Sequence, residues 1–243
     1  MTVVGRLYGI GVGPGDPELL TVKAARLVSE CPVVAYFRAT RRESNARRIV
    51  SGHLDDATTE LELVYPVTTE AVPPDAYETL LIDFYDESAK RVAEVLESGL
   101  DVAVLCEGDP LFYGSYMYLH TRLGERYPTE VVPGVSSVLA GAAAVGAPLV
   151  SRNEVFSVLS GVLTEDELEA RIAAADSVVV LKVGRNLEKV RTAVRRAGRL
   201  EEAHYVEWAT LPKQQVVALE HADATSAPYF SMVVIPGVAA LGR

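Results

Sequence analysis

The sequence predicts an α/β protein of two units, the first around a mostly parallel sheet and the second around a mixed one. Three observations predict it. Short apolar runs such as 102–105 and 178–181 alternate with stretches of helical period, the order that builds parallel sheets flanked by helices. Glycine, proline and aspartate punctuate those runs at turn positions. Beyond Pro148 the last strands follow one another through short connections with little helix, which requires antiparallel pairing. The first sheet is expected to close with the strand at 129–133, giving domains 1–133 and 134–243 with a ligand cleft between them.

The first unit opens with a strand at 6–12 that runs into Gly13-Pro14-Gly15-Asp16-Pro17-Glu18. Asp16 suits a helix N-cap, Pro17 the first helical position and Glu18 the positive end of the dipole. Leu20, Ala24, Leu27 and Val28 give that helix an apolar face ending near Glu30. A strand at 32–36, a short basic helix at 43–51 and an alternating strand at 60–65 come next. After a turn-rich stretch at 68–75, Leu80, Leu81, Phe84, Ala89, Val92, Val95 and Leu96 mark a long helix. The buried strand at 102–105 then leads through a loop at 107–114 to a helix with Tyr116, Leu119 and Leu123 on one face. The strand at 129–133 ends in Pro133-Gly134-Val135-Ser136-Ser137 and the small-residue helix 138–145, whose glycine and alanines allow close packing.

In the second unit a strand at 154–159 precedes Thr164-Glu165-Asp166-Glu167, a capping box for the helix 168–174. A strong strand at 177–183 follows. Asn186 is expected to cap a helix with Leu187, Val190 and Val194 on one face and Gly198 at its end. Strands at 204–208, 214–219 and 229–235 complete the set.

Composition narrows the function. The 243 residues carry a formal net charge of -10, which argues against nucleic acid as a partner. The apolar runs fall far short of the roughly 20 residues of a membrane span, and no leader pattern precedes Gly5, so no membrane association and a cytoplasmic location are expected. Cys31 and Cys106 lie far apart in apolar surroundings, as reduced core thiols do. His53, His120, His204 and His221 are dispersed, so no metal is expected. Phosphate-loop and nucleophile-elbow motifs are absent, and Gly9, Gly11, Gly13 and Gly15 miss the dinucleotide spacing. Arg38, Arg41, Arg42, Arg47 and Arg48 crowd one segment against Glu43 alone, as either a solvated face or a receptor for a small polyanion.

The stretch Leu105-Cys106-Glu107-Gly108-Asp109-Pro110-Leu111-Phe112-Tyr113-Gly114 lies where a strand ends and a helix begins, the usual place for a ligand in an α/β sheet. Alone, its Gly-Asp-Pro reads first as a turn. Taken with 9–21 and 132–137, in that order and spacing, it resembles the tetrapyrrole methylases, and the resemblance covers essentially the whole chain. Those are S-adenosylmethionine (SAM) enzymes acting on corrin and sirohaem precursors and on diphthamide. Segments 106–120, 181–186, 205–210 and 228–232 resemble most the branch that methylates C-20 of precorrin-2 in cobalamin synthesis.

The resemblance implies two α/β domains, SAM in the cleft between them with S-adenosylhomocysteine as product, and usually a homodimer. It places cofactor contacts on Glu107, Gly108, Asp109, Phe112, Ser136, Ser137, Val183 and Ala209, with Tyr229 and Ser231 beside them. Sirohaem-type relatives have a second glycine where this chain has Glu107, which marks a subgroup. Methyl transfer to an electron-rich tetrapyrrole needs alignment in a dry cleft more than a protein nucleophile, and later a base for the proton of the methylated carbon. Asp109 and Asp16 are the candidate catalytic carboxylates, with loop-holding and capping as their alternatives. The arginine segment becomes a candidate site for substrate carboxylates. Methylation at C-11 or C-17, a cobalt-loaded substrate, and a non-catalytic nucleotide-binding module are the competing readings.

Overall fold

A computed structural model of the protein describes residues 4–66 and 74–237. The turn-rich stretch expected at 68–75 lies outside the described residues as far as 73. The chain forms two compact units, 1–136 and 137–243.

The first unit holds β1 (Leu7–Gly11), α1 (Val22–Glu30), β2 (Val33–Ala39), α2 (Asn45–Ile49), β3 (Thr59–Tyr65), α3 (Pro74–Glu97), β4 (Val102–Cys106), α4 (Tyr116–Leu123) and β5 (Thr129–Val132). Its sheet has the order β3-β2-β4-β1-β5 and is parallel throughout. Alternation sends neighbouring side chains to opposite faces, as the period of a strand requires. Val33, Ala35, Val102 and Val104 face α3 and α4, where Val92, Leu96, Tyr116 and Leu119 meet them. Val34, Tyr36, Ala103 and Leu105 face α1 and α2, meeting Leu27, Val28, Ala46 and Ile49.

Two local expectations are corrected. Asp16 does accept the Glu18 N–H at 2.9 Å, but it caps only a 3-10 turn, Pro17–Leu19. Leu20 is then extended (φ -63°, ψ 135°), and Thr21 caps α1 by accepting the Ala24 N–H at 3.1 Å, so Leu20 precedes the helix instead of lying on its face. The stronger signal was Thr21, whose hydroxyl competes with helical continuation through its own position.

The second unit holds α5 (Ser137–Val145), β6 (Phe156–Ser160), α6 (Glu165–Ala174), β7 (Ser177–Leu181), α7 (Leu187–Arg196), β8 (His204–Glu207), β9 (Gln215–Ala218) and β10 (Ser231–Ile235). The order is β6-β7-β10-β8-β9; β6 and β7 are parallel and every other pair is antiparallel, so this sheet is mixed. α6 and α7 cover one face through Leu168, Ile172, Val190 and Val194. α5 covers the other, where a Cβ on Gly141 would lie 2.4 Å from the Met232 sulfur; the small residues of α5 serve close packing on β10.

The Thr164–Glu167 capping box forms as expected. Asn186 does not cap α7 with its side chain: it ends a 3-10 turn, Gly184–Asn186, and its Nδ2 donates to the Lys182 carbonyl at 3.0 Å. The strand expected at 177–183 stops at Leu181 because Lys182 takes φ +57°, and the one expected at 229–235 starts only at Ser231. No helix among the described residues is long and apolar enough to cross a membrane.

Candidate functional site

In the first unit β4 and β1 lie side by side, Cys106 level with Gly11, and β5 flanks β1. The chain leaves β1 towards β2 and β4 towards β5, on opposite sides, so a crevice opens at their carboxyl ends. The loops that follow these strands interlock there. The Gly108 N–H donates to the Gly13 carbonyl at 2.8 Å, and the Gly13 N–H donates to the Gly108 carbonyl at 3.3 Å. A Cβ on Gly134 would lie 2.1 Å from the Gly108 carbonyl oxygen, and one on Gly11 would lie 2.4 Å from the Gly134 nitrogen. Backbone meets backbone at these points, so only glycine fits. Gly13 and Gly108 also stand at φ +78° and +65°.

Asp109 fastens the same arrangement. Its Oδ1 accepts the Leu111 N–H at 2.9 Å and its Oδ2 accepts the Gly134 N–H at 3.1 Å, joining the loop after β4 to the one after β5. Leu111, Phe112 and Tyr113 beyond it are exposed, with Phe112 and Tyr113 edge to face at 5.1 Å. Ser136 follows in the third loop, and Ser137 is the first residue of α5. Asp16 and Asp109, the two carboxylates considered for proton transfer, are thus both engaged by backbone N–H groups.

Burial pushes the Glu107 carboxyl up to about 7, against the lowering influence of Asn45, Arg48 and Ala46. Burial also pushes the thiols of Cys31 and Cys106 up to about 12 and about 11, and both cysteines are free.

The arginines expected to bind substrate do come together. Arg38, Arg41, Arg42, Arg47 and Arg48 line one open pocket of about 750 Å³ beside Tyr36, Glu60 and Glu62. The expectation that Glu43 alone opposes them is corrected, because β3 brings two further carboxylates across the sheet. Arg47 grips Glu60 with two nitrogens at 2.8 and 3.0 Å, which with the Tyr36 hydroxyl holds the Glu60 carboxyl below its ordinary range. Arg38 pairs with Glu62 at 2.5 Å. Arg41, Arg42 and Arg48 stand in no ion pair among the described residues.

The second unit gathers its expected site residues at one end of its sheet. The ends of β7 and β8 meet the start of β10 there: the Gly184 N–H donates to Ser231 Oγ at 3.2 Å, and the Trp208 N–H donates to the Phe230 carbonyl at 2.9 Å. Val183 and Ala209 are buried, so what they offer a ligand is backbone. Lys182, Trp208 and Thr210, which flank them, have φ of +57°, +51° and +70°. Non-glycine residues held this way cluster at functional sites, where the surrounding structure sustains the strain. Lys213 covers the Trp208 ring at 3.2 Å, and Tyr229 is 70% exposed.

Sequence reasoning names none of Gly11, Asn45, Glu60, Glu62, Lys182, Trp208 and Thr210 as a site residue, although Gly11 lies in the first motif and Lys182, Trp208 and Thr210 in stretches that carry the resemblance. Gly11 and Gly134 were open to inference from the glycine clusters. The left-handed residues of the second unit carry no such signal, since Lys, Trp and Thr are ordinary strand and loop residues.

Comparison with known proteins matches this geometry. Residues 6–225 match the family model of the Tetrapyrrole (Corrin/Porphyrin) Methylases. The chain is 50% identical over 235 residues to a precorrin-2 C(20)-methyltransferase from Sinorhizobium sp, covering 96% of each. It is 30% identical to the cobalt-precorrin-2 C(20)-methyltransferase of Salmonella typhimurium, over 95% of this chain and 96% of that one. Among solved structures, a uroporphyrin-III C-methyl transferase from Thermus thermophilus complexed with S-adenosyl homocysteine is similar with TM-score 0.66 and 27% identity, over 98% of this chain and 94% of that one. With a parallel sheet whose glycine loops interlock, a mixed second sheet and a family match along most of its length, the chain belongs to the tetrapyrrole methylases.

Proposed function

We propose that this chain transfers the methyl group of SAM to C-20 of precorrin-2, giving precorrin-3A and S-adenosylhomocysteine in cobalamin biosynthesis. The observation that carries this reading is the 50% identity, across 96% of both chains, to the Sinorhizobium precorrin-2 C(20)-methyltransferase. The cobalt-precorrin-2 relative stands at 30%, which favours the metal-free substrate.

The residues present fit SAM. The glycine contacts among Gly11, Gly108 and Gly134 form a loop floor of bare backbone, and the related Thermus enzyme holds S-adenosylhomocysteine. SAM supplies an electrophilic methyl on a sulfonium; the chain's task is to bind, orient and exclude water. Gly108, Asp109, Phe112, Ser136, Ser137, Val183, Ala209, Tyr229 and Ser231 are its proposed contacts, with Glu107 contributing through backbone. Asp109 and Asp16 are the carboxylates proposed for proton removal. In the basic pocket Arg41, Arg42 and Arg48 take substrate carboxylates directly, and Arg38 and Arg47 do so while held by Glu62 and Glu60. A homodimer follows from the family resemblance, and a cytoplasmic location agrees with two free buried cysteines.

The test is to incubate the protein with SAM and either metal-free or cobalt-loaded precorrin-2, then weigh the tetrapyrrole. One added methyl on the metal-free form alone is expected. A gain on the cobalt form alone moves the assignment to the cobalt substrate, and no gain on either rejects it.

A further inference from the structure

Five arginines and three glutamates line the basic pocket, and the contacts divide the arginines into two kinds. Arg38 is engaged within the protein at every nitrogen. Its Nε donates to Glu62 Oε2 at 2.7 Å, its Nη2 pairs with the same oxygen at 2.5 Å, and its Nη1 donates to the Ala39 and Thr40 carbonyls at 3.1 and 3.3 Å. Arg47 gives Nε and Nη2 to Glu60. Arg41 and Arg42, on the turn after β2, meet no carboxylate among the described residues, and Arg48 on α2 donates only to the neutral Asn45 Oδ1 at 3.2 Å.

The sheet sets the two carboxylates side by side. Glu60 and Glu62 stand two apart on β3, hence on one face, and the parallel register puts Glu62 level with Tyr36. The Tyr36 hydroxyl donates to Glu60 Oε2 at 2.6 Å and lies 3.3 Å from Glu62 Oε1, so one buried ring joins both acids. Partly exposed ion pairs of this kind add little to stability. Inside a pocket of arginines their effect on a ligand is larger: two fixed negative charges weaken the attraction for every anion, and most for one that comes close to them. Selectivity is often built this way, by repelling the wrong ligand as well as attracting the right one.

We propose that Glu60 and Glu62, joined by Tyr36, are specificity-determining residues of the basic pocket. They hold Arg47 and Arg38 in one direction each and repel anions from the β3 side. The pocket thus accepts a broad polycarboxylate whose acid groups reach Arg41, Arg42 and Arg48, and rejects a compact polyanion that would draw all five arginines together. This rests on the polycarboxylate substrate proposed above and names what selects it.

The test measures by calorimetry how the whole chain binds uroporphyrin, a broad polycarboxylate, and inorganic tripolyphosphate, a compact polyanion. Wild type is expected to prefer uroporphyrin. Glu60→Gln and Glu62→Gln each keep an acceptor for the arginine and lose the charge. In each the preference is expected to fall about tenfold, chiefly because tripolyphosphate binds more tightly. Should one variant not fold, the other decides, since each acid holds its own arginine. A pair that is merely structural would weaken both ligands alike; an unchanged preference in these variants therefore overturns the proposal. So does a wild-type protein that prefers tripolyphosphate or binds neither ligand. A wild-type protein that methylates neither form of precorrin-2 rejects the parent reading instead, while the change in preference still decides what the two glutamates do.

Discussion

The two units present loops at their strand ends by opposite means. In the first, the close approaches fall on Gly11 and Gly134, where an added Cβ would meet backbone at 2.4 and 2.1 Å, and Gly13 and Gly108 take positive φ, with Tyr113 (φ +56°) as the non-glycine residue of these loops that does the same. In the second, Gly184 is joined at positive φ by Lys182, Trp208 and Thr210, each with a Cβ that disfavours that conformation. The first unit thus reaches its geometry mainly by removing side chains, and the second largely by holding strained residues in place, Trp208 against Phe230 and Lys213 and Thr210 through the Gln214 side chain. Substitution should therefore damage the first set far more than the second.

The largest effect is expected for Gly134→Ala. Its new Cβ meets the Gly108 carbonyl oxygen, a backbone atom that cannot swing aside, so about 3 kcal/mol of stability and measurable S-adenosylhomocysteine binding are lost together. Urea denaturation and calorimetry check it, and a well-folded variant with unchanged affinity would break the contrast. Gly108→Val places a β-branched residue at φ +65°, costing about 1–2 kcal/mol and filling space at the loop floor. Loss of S-adenosylhomocysteine binding in a variant that still melts cooperatively is the expected result.

Thr210→Gly runs the other way. Relief of the left-handed strain offsets the added chain entropy, so stability should hold or rise by up to about 1 kcal/mol. A thermal melt that drops by several degrees would show that Thr210 is held by more than its neighbours' backbone. The smallest effect is a pH dependence. Below pH 4.5 the Glu107 carboxyl is protonated whether the chain is folded or not; between there and about 7 only the unfolded chain gives up the proton readily, so folding loses stability as pH rises. Glu107→Gln lacks that loss, and its urea midpoint relative to wild type should climb across this window. A flat difference would mean that Glu107 is ionised as easily in the folded chain as in the unfolded one.

The same contrast explains how much was legible. Strand runs, the capping box, the mixed character of the second sheet and the glycine loops all depend on residues within a few positions of one another, and a sequence displays such relations directly. The start of α1 is hard to place from sequence because two capping residues, Asp16 and Thr21, compete five positions apart. The arginine segment looks almost unopposed in the sequence because Glu60 and Glu62 reach it only through the parallel pairing of β2 with β3. Glu107 falls among the expected cofactor contacts by its place in the motif, whereas the burial that raises its carboxyl to about 7 comes from the fold.

Alternation, turn chemistry and the motif loops determined the α/β class, the family and the stretches around which a site forms, since each is a local relation between residue type and backbone. The burial of Glu107, what balances Arg38 and Arg47, and that Lys182, Trp208 and Thr210 are left-handed were decided by strand order and packing. Those depend on partners distant along the chain, and no local preference of the residues themselves encodes them.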